Sequence, residues 1–393
     1  MILALLLTAA AAPAAPPEQR EEDGYTRYEL LAPGSGKFRI LYEITATAPG
    51  ATSYFNPIRT GSVATDESVL DRATGKPLRL EVVDGSVAAA NGVPCAEANS
   101  QYIRVHLARP VPTNGGEARL LIDKTYFDPK SYLAEGETII FDRALGVKRN
   151  AVVLPAGYEL VSVNYPSQIV READGRLALS FWNATPAPAP LLIRARPTRV
   201  TAIATVLAGE GERARQSREI VYYLQPPETH AFDLTHDYTE TRAGTRHYVN
   251  IVRAGSKASN PSATNLDTGE VLQAETVRGR AIARYEPEAT DLTEESEAIV
   301  FHFAPVQAGT SMRLRIAETY TDPNSYGLEG SELVWHRTVG RPANAVVLPA
   351  GWSLTSSSIP AIVTETADGR TRLDYINPRP DQLDITIRAA RRE

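Results

Sequence analysis

The chain has one cysteine, Cys95, two methionines and three tryptophans among its 393 residues. A single thiol closes no intramolecular disulfide, so no disulfide framework holds this fold. Cys95 lies in Asn91-Gly92-Val93-Pro94-Cys95 and reads as a small apolar loop residue; a nucleophile or an intermolecular bridge are the functional readings. Lysine is scarce as well: Lys37, Lys76, Lys124, Lys130, Lys148 and Lys257 are all there are. With a net charge of −6, the chain lacks the basic footprint of a nucleic-acid binder, and no nucleic-acid partner is expected. No apolar run reaches the roughly 20 residues a membrane-spanning helix needs, so no transmembrane anchor is expected once a leader is removed.

Catalytic signatures are missing too. The chain has no Gly-x-Ser-x-Gly elbow and no His-Glu-x-x-His helix. It has no glycine-rich phosphate loop and no cysteine cluster with metal-ligand spacing. These absences argue against several enzyme classes. They leave open enzymes whose carboxylates lie far apart in sequence, such as glycoside hydrolases. Five of six histidines lie after residue 225: His230, His236, His247, His302 and His336. None forms a short-range pair with familiar ligand spacing, so neither a metal nor a cofactor is expected.

What the chain does contain starts with a leader. Residues 1–15, MILALLLTAAAAPAA, run from an apolar stretch into small residues, the pattern of a secretory signal peptide. Cleavage fits best after Ala14, with Ala12 three positions back. The start carries no Lys or Arg, a departure from the usual pattern. The expected location is periplasmic or extracellular.

A shift of 194 residues then lays the chain on itself. Thr125 to Tyr132, TYFDPKSY, falls on Thr319 to Tyr326, TYTDPNSY. Asn150 to Gly157, NAVVLPAG, falls on the same eight letters at Asn344 to Gly351. From Thr125 to Arg196 there are 31 identities in 72 ungapped positions. Upstream, Tyr54, Asn56 and Arg59 meet Tyr248, Asn250 and Arg253. The expectation is two tandem modules, 22–196 and 216–390, with 197–215 as a connector in which Val200 to Leu207 reads as an extra strand.

The periodicity is that of strands. Tyr102 to Leu107 and Arg313 to Ala317 alternate polar and apolar residues, which gives one buried and one wet face. Asp174-Gly175 and Asp368-Gly369 each read as the turn of a hairpin, of type I′. Helical signals are scarce. The expected fold is all-β, with each module a β-sandwich, either one large one or two sub-sandwiches parted near residue 145 or 339.

The most specific duplicated segment is Thr-Tyr-x-Asp-Pro-x-Ser-Tyr. Tyr126, Asp128 and Tyr132, with Arg143, and their counterparts Tyr320, Asp322, Tyr326 and Arg337, are the candidate ligand-binding residues. Two tyrosines beside a carboxylate can stack on a sugar ring and accept its hydroxyl hydrogens. The structural reading is that Asp-Pro starts a turn and a tyrosine hydroxyl clamps a loop. Arg143 reads either as the partner of Asp128 or as a surface residue.

These readings lead to a non-enzymatic, exported binding or interaction protein, its partner a polysaccharide or another envelope protein. Two modules on one chain would bind by avidity. The alternatives are a cell-envelope hydrolase with dispersed carboxylates and a structural, self-assembling spacer.

Overall fold

A computed structural model of the chain describes residues 15–198 and 211–392. The leader, all but Ala15, and the candidate strand 200–207 lie outside the described residues. Among the described residues the fold is nearly all β. Helix is confined to Gly85–Ala90 and the 3-10 turns Pro227–Thr229 and Gly279–Arg284.

Alternating side chains build the strands. In Lys37–Ala46 the residues Phe38, Ile40, Tyr42 and Ile44 are buried on one face, while Lys37 and Arg39 are exposed on the other. Burial of Phe38 alone, fully enclosed, stabilises by roughly 2 kcal/mol. Seven such strands form the long sheet of the first half. Their order is Gln168–Arg171, Leu177–Trp182, Arg149–Val153, Glu21–Leu30, Lys37–Ala46, Ala118–Phe127 and Val63–Asp71. All neighbours are antiparallel except Glu21–Leu30 and Arg149–Val153, which run parallel with Tyr25 beside Arg149.

Two smaller sheets complete the first half. One joins Tyr158–Val163, Ala189–Pro197, Thr138–Leu145 and Tyr132–Glu135; the other joins Ser53–Ile58, Gln101–His106 and Leu80–Asp84. Phe38, Ile122 and Val152 of the long sheet pack in one continuous core with Phe141 and Ile193 of the first and Tyr54 and Ile103 of the second. The half is therefore not parted near residue 145, because Arg149–Val153 lies inside the long sheet beside Glu21–Leu30.

The second half has an eight-stranded sheet in the same pairing order. It runs from Ile362–Glu365 through Thr371–Ile376, Ala343–Val347, Arg218–Leu224, Ala231–Glu240 and Met312–Thr321 to Lys257–Asn265 and Glu270–Val271. Its parallel pair is Arg218–Leu224 with Ala343–Val347. A four-stranded sheet and a three-stranded sheet again accompany it. The strands Val63–Asp71 and Lys257–Asn265 bulge at equal places, where Asp66 (φ 58°) and Asn260 (φ 51°) adopt the left-handed region.

The Asp-Gly hairpins form, but their turns differ from the expected type. Only Gly175 (φ 85°) and Gly369 (φ 78°) have positive φ; Asp174 and Asp368 do not. The geometry is a type I turn closed by a left-handed glycine, with Gly175 N–H donating to the Glu172 carbonyl at 2.9 Å.

Candidate ligand-binding cleft

The Tyr-x-Asp-Pro segment follows the long strand Ala118–Phe127. Asp128 caps the turn: its carboxylate accepts from the Ser131 N–H at 3.1 Å, the Ser131 hydroxyl at 2.8 Å and the Ser62 hydroxyl at 3.1 Å. Arg143 donates to it at 2.9 Å, and both side chains are buried. Burial pushes the Asp128 carboxyl up, but the Ser131 and Ser62 hydrogen bonds and the Arg143 charge bring it below the usual range. Tyr132 donates to the Leu31 carbonyl at 3.0 Å and so ties the loop down. The Arg143 guanidinium lies among the rings of Tyr28, Phe38 and Tyr126, at 5.9, 5.5 and 5.6 Å.

The second half is built alike. Arg337 meets Asp322 at 3.3 Å and lies among Tyr222, Phe232 and Tyr320 at 5.6, 5.2 and 5.5 Å. Tyr326 donates to the Gln225 carbonyl.

A cleft of about 1080 Å³ opens on the inner face of the first half. Its far wall is the long sheet of the second half, through Val221, Tyr223, Thr235, Asp237 and Arg315. Of the eight candidate residues, Tyr126 and Arg143 line it. Asp128 and Tyr132 stand behind it as turn and clamp. Tyr320, Asp322, Tyr326 and Arg337 form their own cluster elsewhere.

Sequence reasoning missed the group at the centre of the cleft. Lys124, 4% exposed, donates to the Asn56 side-chain carbonyl and to the Tyr126 hydroxyl at 3.3 Å, and lies 4.8 Å above the Tyr126 ring. Burial, then the charge of Arg143, pushes its ammonium down to about 7, against the pull of Glu67. Beside it Tyr54 donates to Glu21, which also accepts from Tyr42 at 3.4 Å. The Thr26 hydroxyl lines the same space, buried and without a protein partner. One signal was readable: Ile122, Lys124 and Tyr126 share a strand face, so a lysine there had to sit on the apolar side.

The equivalent place in the second half is built from different side chains. Asn250 donates to Glu318 at 2.6 Å and to the Tyr320 hydroxyl at 3.0 Å. Burial pushes the Glu318 carboxyl up to about 7, against the Asn250 hydrogen bond, and leaves Oε1 without a protein partner. Tyr238, where the first half has Ile44, packs on Tyr248 with ring centroids 5.3 Å apart. His236 contacts the Tyr248 hydroxyl at 3.2 Å.

Among the described residues no three His, Cys, Asp or Glu side chains converge as metal ligands, and no helix is long and apolar enough to cross a membrane. Cys95 is an exposed free thiol.

No protein-family profile matches the chain, and no curated protein does. Among solved structures it is similar to an aminopeptidase N family protein from Idiomarina loihiensis, at 8% identity and a TM-score of 0.28, over 44% of this chain and 29% of that one. It is also similar to a two-domain M1 zinc metallopeptidase bound to L-tryptophan, at 14% identity and a TM-score of 0.28, over 44% of this chain and 41% of that one. The chain thus spans less than half the length of either.

Proposed function

We propose that this is an exported binding protein that takes a polyhydroxylated, acid-bearing ligand, such as a segment of acidic polysaccharide, in the cleft of its first half. The observation that carries the reading is the buried cluster of Lys124, Asn56 and Tyr126 beside Arg143. The Lys124 ammonium on that wall suits a carboxylate, whose negative charge would hold the lysine protonated. The Tyr42 and Tyr54 hydroxyls, the Asn56 amide and the unpartnered Thr26 hydroxyl suit sugar hydroxyls, and the tyrosine rings suit the faces of a pyranose. The apolar leader supports a place outside the cytoplasm, and the 194-residue self-match supports descent of both halves from one unit. The second half then supplies a wall of the cleft, in place of a second site.

The test is calorimetric titration with oligogalacturonate, using a neutral maltooligosaccharide as the comparison. Oligogalacturonate is expected to bind, and Lys124→Met is expected to weaken it at least tenfold. Equal binding of both sugars, or of neither, would sink the reading.

A second reading, a cell-envelope hydrolase, is favoured by one residue. Glu117 lines the cleft, and burial pushes its carboxyl up to about 7, against the charges of Arg313 and Arg119. A carboxylic acid still protonated near neutral pH suits general acid catalysis. Release of reducing ends from oligogalacturonate that Glu117→Gln abolishes would favour this reading over simple binding.

A further inference from the structure

The two halves meet through residues that sit 194 apart in pairs. Asp23 and Ser217 are equivalents, since 23 + 194 = 217, and the Ser217 hydroxyl donates to the Asp23 carboxylate. Arg72 and Leu266 are equivalents, as are Glu117 and Ser311. The Glu117 N–H donates to the Leu266 carbonyl at 2.8 Å, and the Ser311 hydroxyl donates to the Arg72 carbonyl at 2.8 Å. Arg119 and Arg313 are equivalents too. Arg119 donates to Ser311 at 3.0 Å, and Arg313 lies 3.9 Å from Glu117. Gly75 and Gly269 come close to the same relation: a Cβ on Gly75 would lie 2.5 Å from the Gly309 carbonyl, and one on Gly269 would lie 2.5 Å from the side chain of Asn114, the neighbour of Gly115, which is the equivalent of Gly309.

Contact i to j is thus answered by contact j to i. Such reciprocity belongs to an interface around a two-fold axis, and a residue that meets its own equivalent lies on that axis. A head-to-tail arrangement of two units would join unlike patches and leave one of each open at the ends.

We infer that the surface between the halves is self-complementary, one that a single half would offer to a second copy of itself, and that the chain is a two-fold pair joined covalently. The inference does not depend on what the cleft binds. The departures from symmetry follow from the joining. On the axis of a true homodimer an aspartate would face an aspartate; here Asp23 faces Ser217, and like charges are avoided. Each equivalent arginine still crosses to a carboxylate of the other half. Arg119 holds Asp267 at 2.7 and 2.8 Å, where the first half has Ala73, and Arg313 holds Asp23 at 3.0 Å.

The test exchanges equivalent residues across the axis in the full chain. Asp23→Ser is expected to lower the melting temperature by roughly 5 °C, because it strips the carboxylate from Arg149 and Arg313. Asp23→Ser with Ser217→Asp returns the acid to the same spot from the other half and is expected to recover most of that loss. A second exchange, Glu117→Ser with Ser311→Glu, reads the same relation. If either exchange recovers at least half the loss of its worse single variant, the reciprocity stands. If both are as unstable as the sum of their single changes, or neither folds, the surface is not self-complementary and the inference fails.

Discussion

Lys124 and Glu318 occupy matching places on the inner faces of the two long sheets: Lys124 donates to the Asn56 side-chain carbonyl and the Tyr126 hydroxyl, and Glu318 accepts from the Asn250 amide, which also donates to the Tyr320 hydroxyl. The surrounding scaffold is shared; the charge is reversed. Burial pushes each toward its neutral form, the lysine downward and the glutamate upward, both to about 7. The two shifts make opposite contributions to stability as pH changes.

Between pH 4.5 and 7 the folded chain holds more protons on Glu318 and Glu117 than the unfolded chain does, so stability falls as pH rises. Between pH 7 and 10.5 the unfolded chain holds more on Lys124, so stability rises. These groups together place a minimum near pH 7, each contributing on the order of 3–5 kcal/mol across its window. Urea unfolding at pH 5, 7 and 9 reads the curve. Glu318→Gln should flatten the acid arm and Lys124→Met the alkaline one; unchanged arms would contradict the assignment.

Asp128 and Asp322 each neutralise an arginine enclosed by three aromatic rings. Asp128→Ala and Asp322→Ala should each cost about 3–5 kcal/mol, because a guanidinium stays buried without its partner. Arg143→Met should cost less than Asp128→Ala, since it removes the charge and keeps the stem. Guanidinium denaturation compares the three. A mild Asp128→Ala with full stability would move Asp128 from turn capping to ligand contact.

Arg119 and Asp267 form a buried bidentate pair between the halves. Arg119→Met should loosen that junction by about 3 kcal/mol, because Asp267 stays buried. In calorimetry a single transition is expected to separate into two as each half melts on its own. Persistence of one transition at the parent temperature would show that other contacts couple the halves.

Ile44, which lines the cleft, stands where the second half has Tyr238 packed on Tyr248. Ile44→Tyr puts a second-half ring into the wall of the first-half cleft, and it should reduce oligogalacturonate binding at least tenfold while the melting temperature moves by only a few degrees. Retained affinity in a folded Ile44→Tyr variant would place the ligand outside the inner cleft.

Strand-forming segments were readable because alternation such as Phe38-x-Ile40-x-Tyr42-x-Ile44 states which face is buried. The hairpins at Asp174-Gly175 and Asp368-Gly369 were readable for the same reason, but their turn type was not: the glycine alone takes the positive φ, and the local dipeptide does not reveal whether the aspartate shares it. The Tyr-x-Asp-Pro segment stood out by letters, and its carboxylate serves the turn and the arginine. Asn56 was matched with Asn250 by spacing, yet nothing local tied it to Lys124, which lies 68 residues on. Contacts of that range are set by sheet order. So is the meeting of Asp23 with Ser217, which no reading of either neighbourhood alone would bring together.

The parallel ladder between Glu21–Leu30 and Arg149–Val153 has a consequence for assembly. Tyr25 takes its place beside Arg149, 124 positions later in the chain (149 − 25). The earliest strand of the first half therefore waits, one side unsatisfied, until most of that half has been made. Closing so wide a loop is entropically slow. A nascent chain halted before residue 149 would carry a bare strand side, open to pairing with any extended peptide nearby.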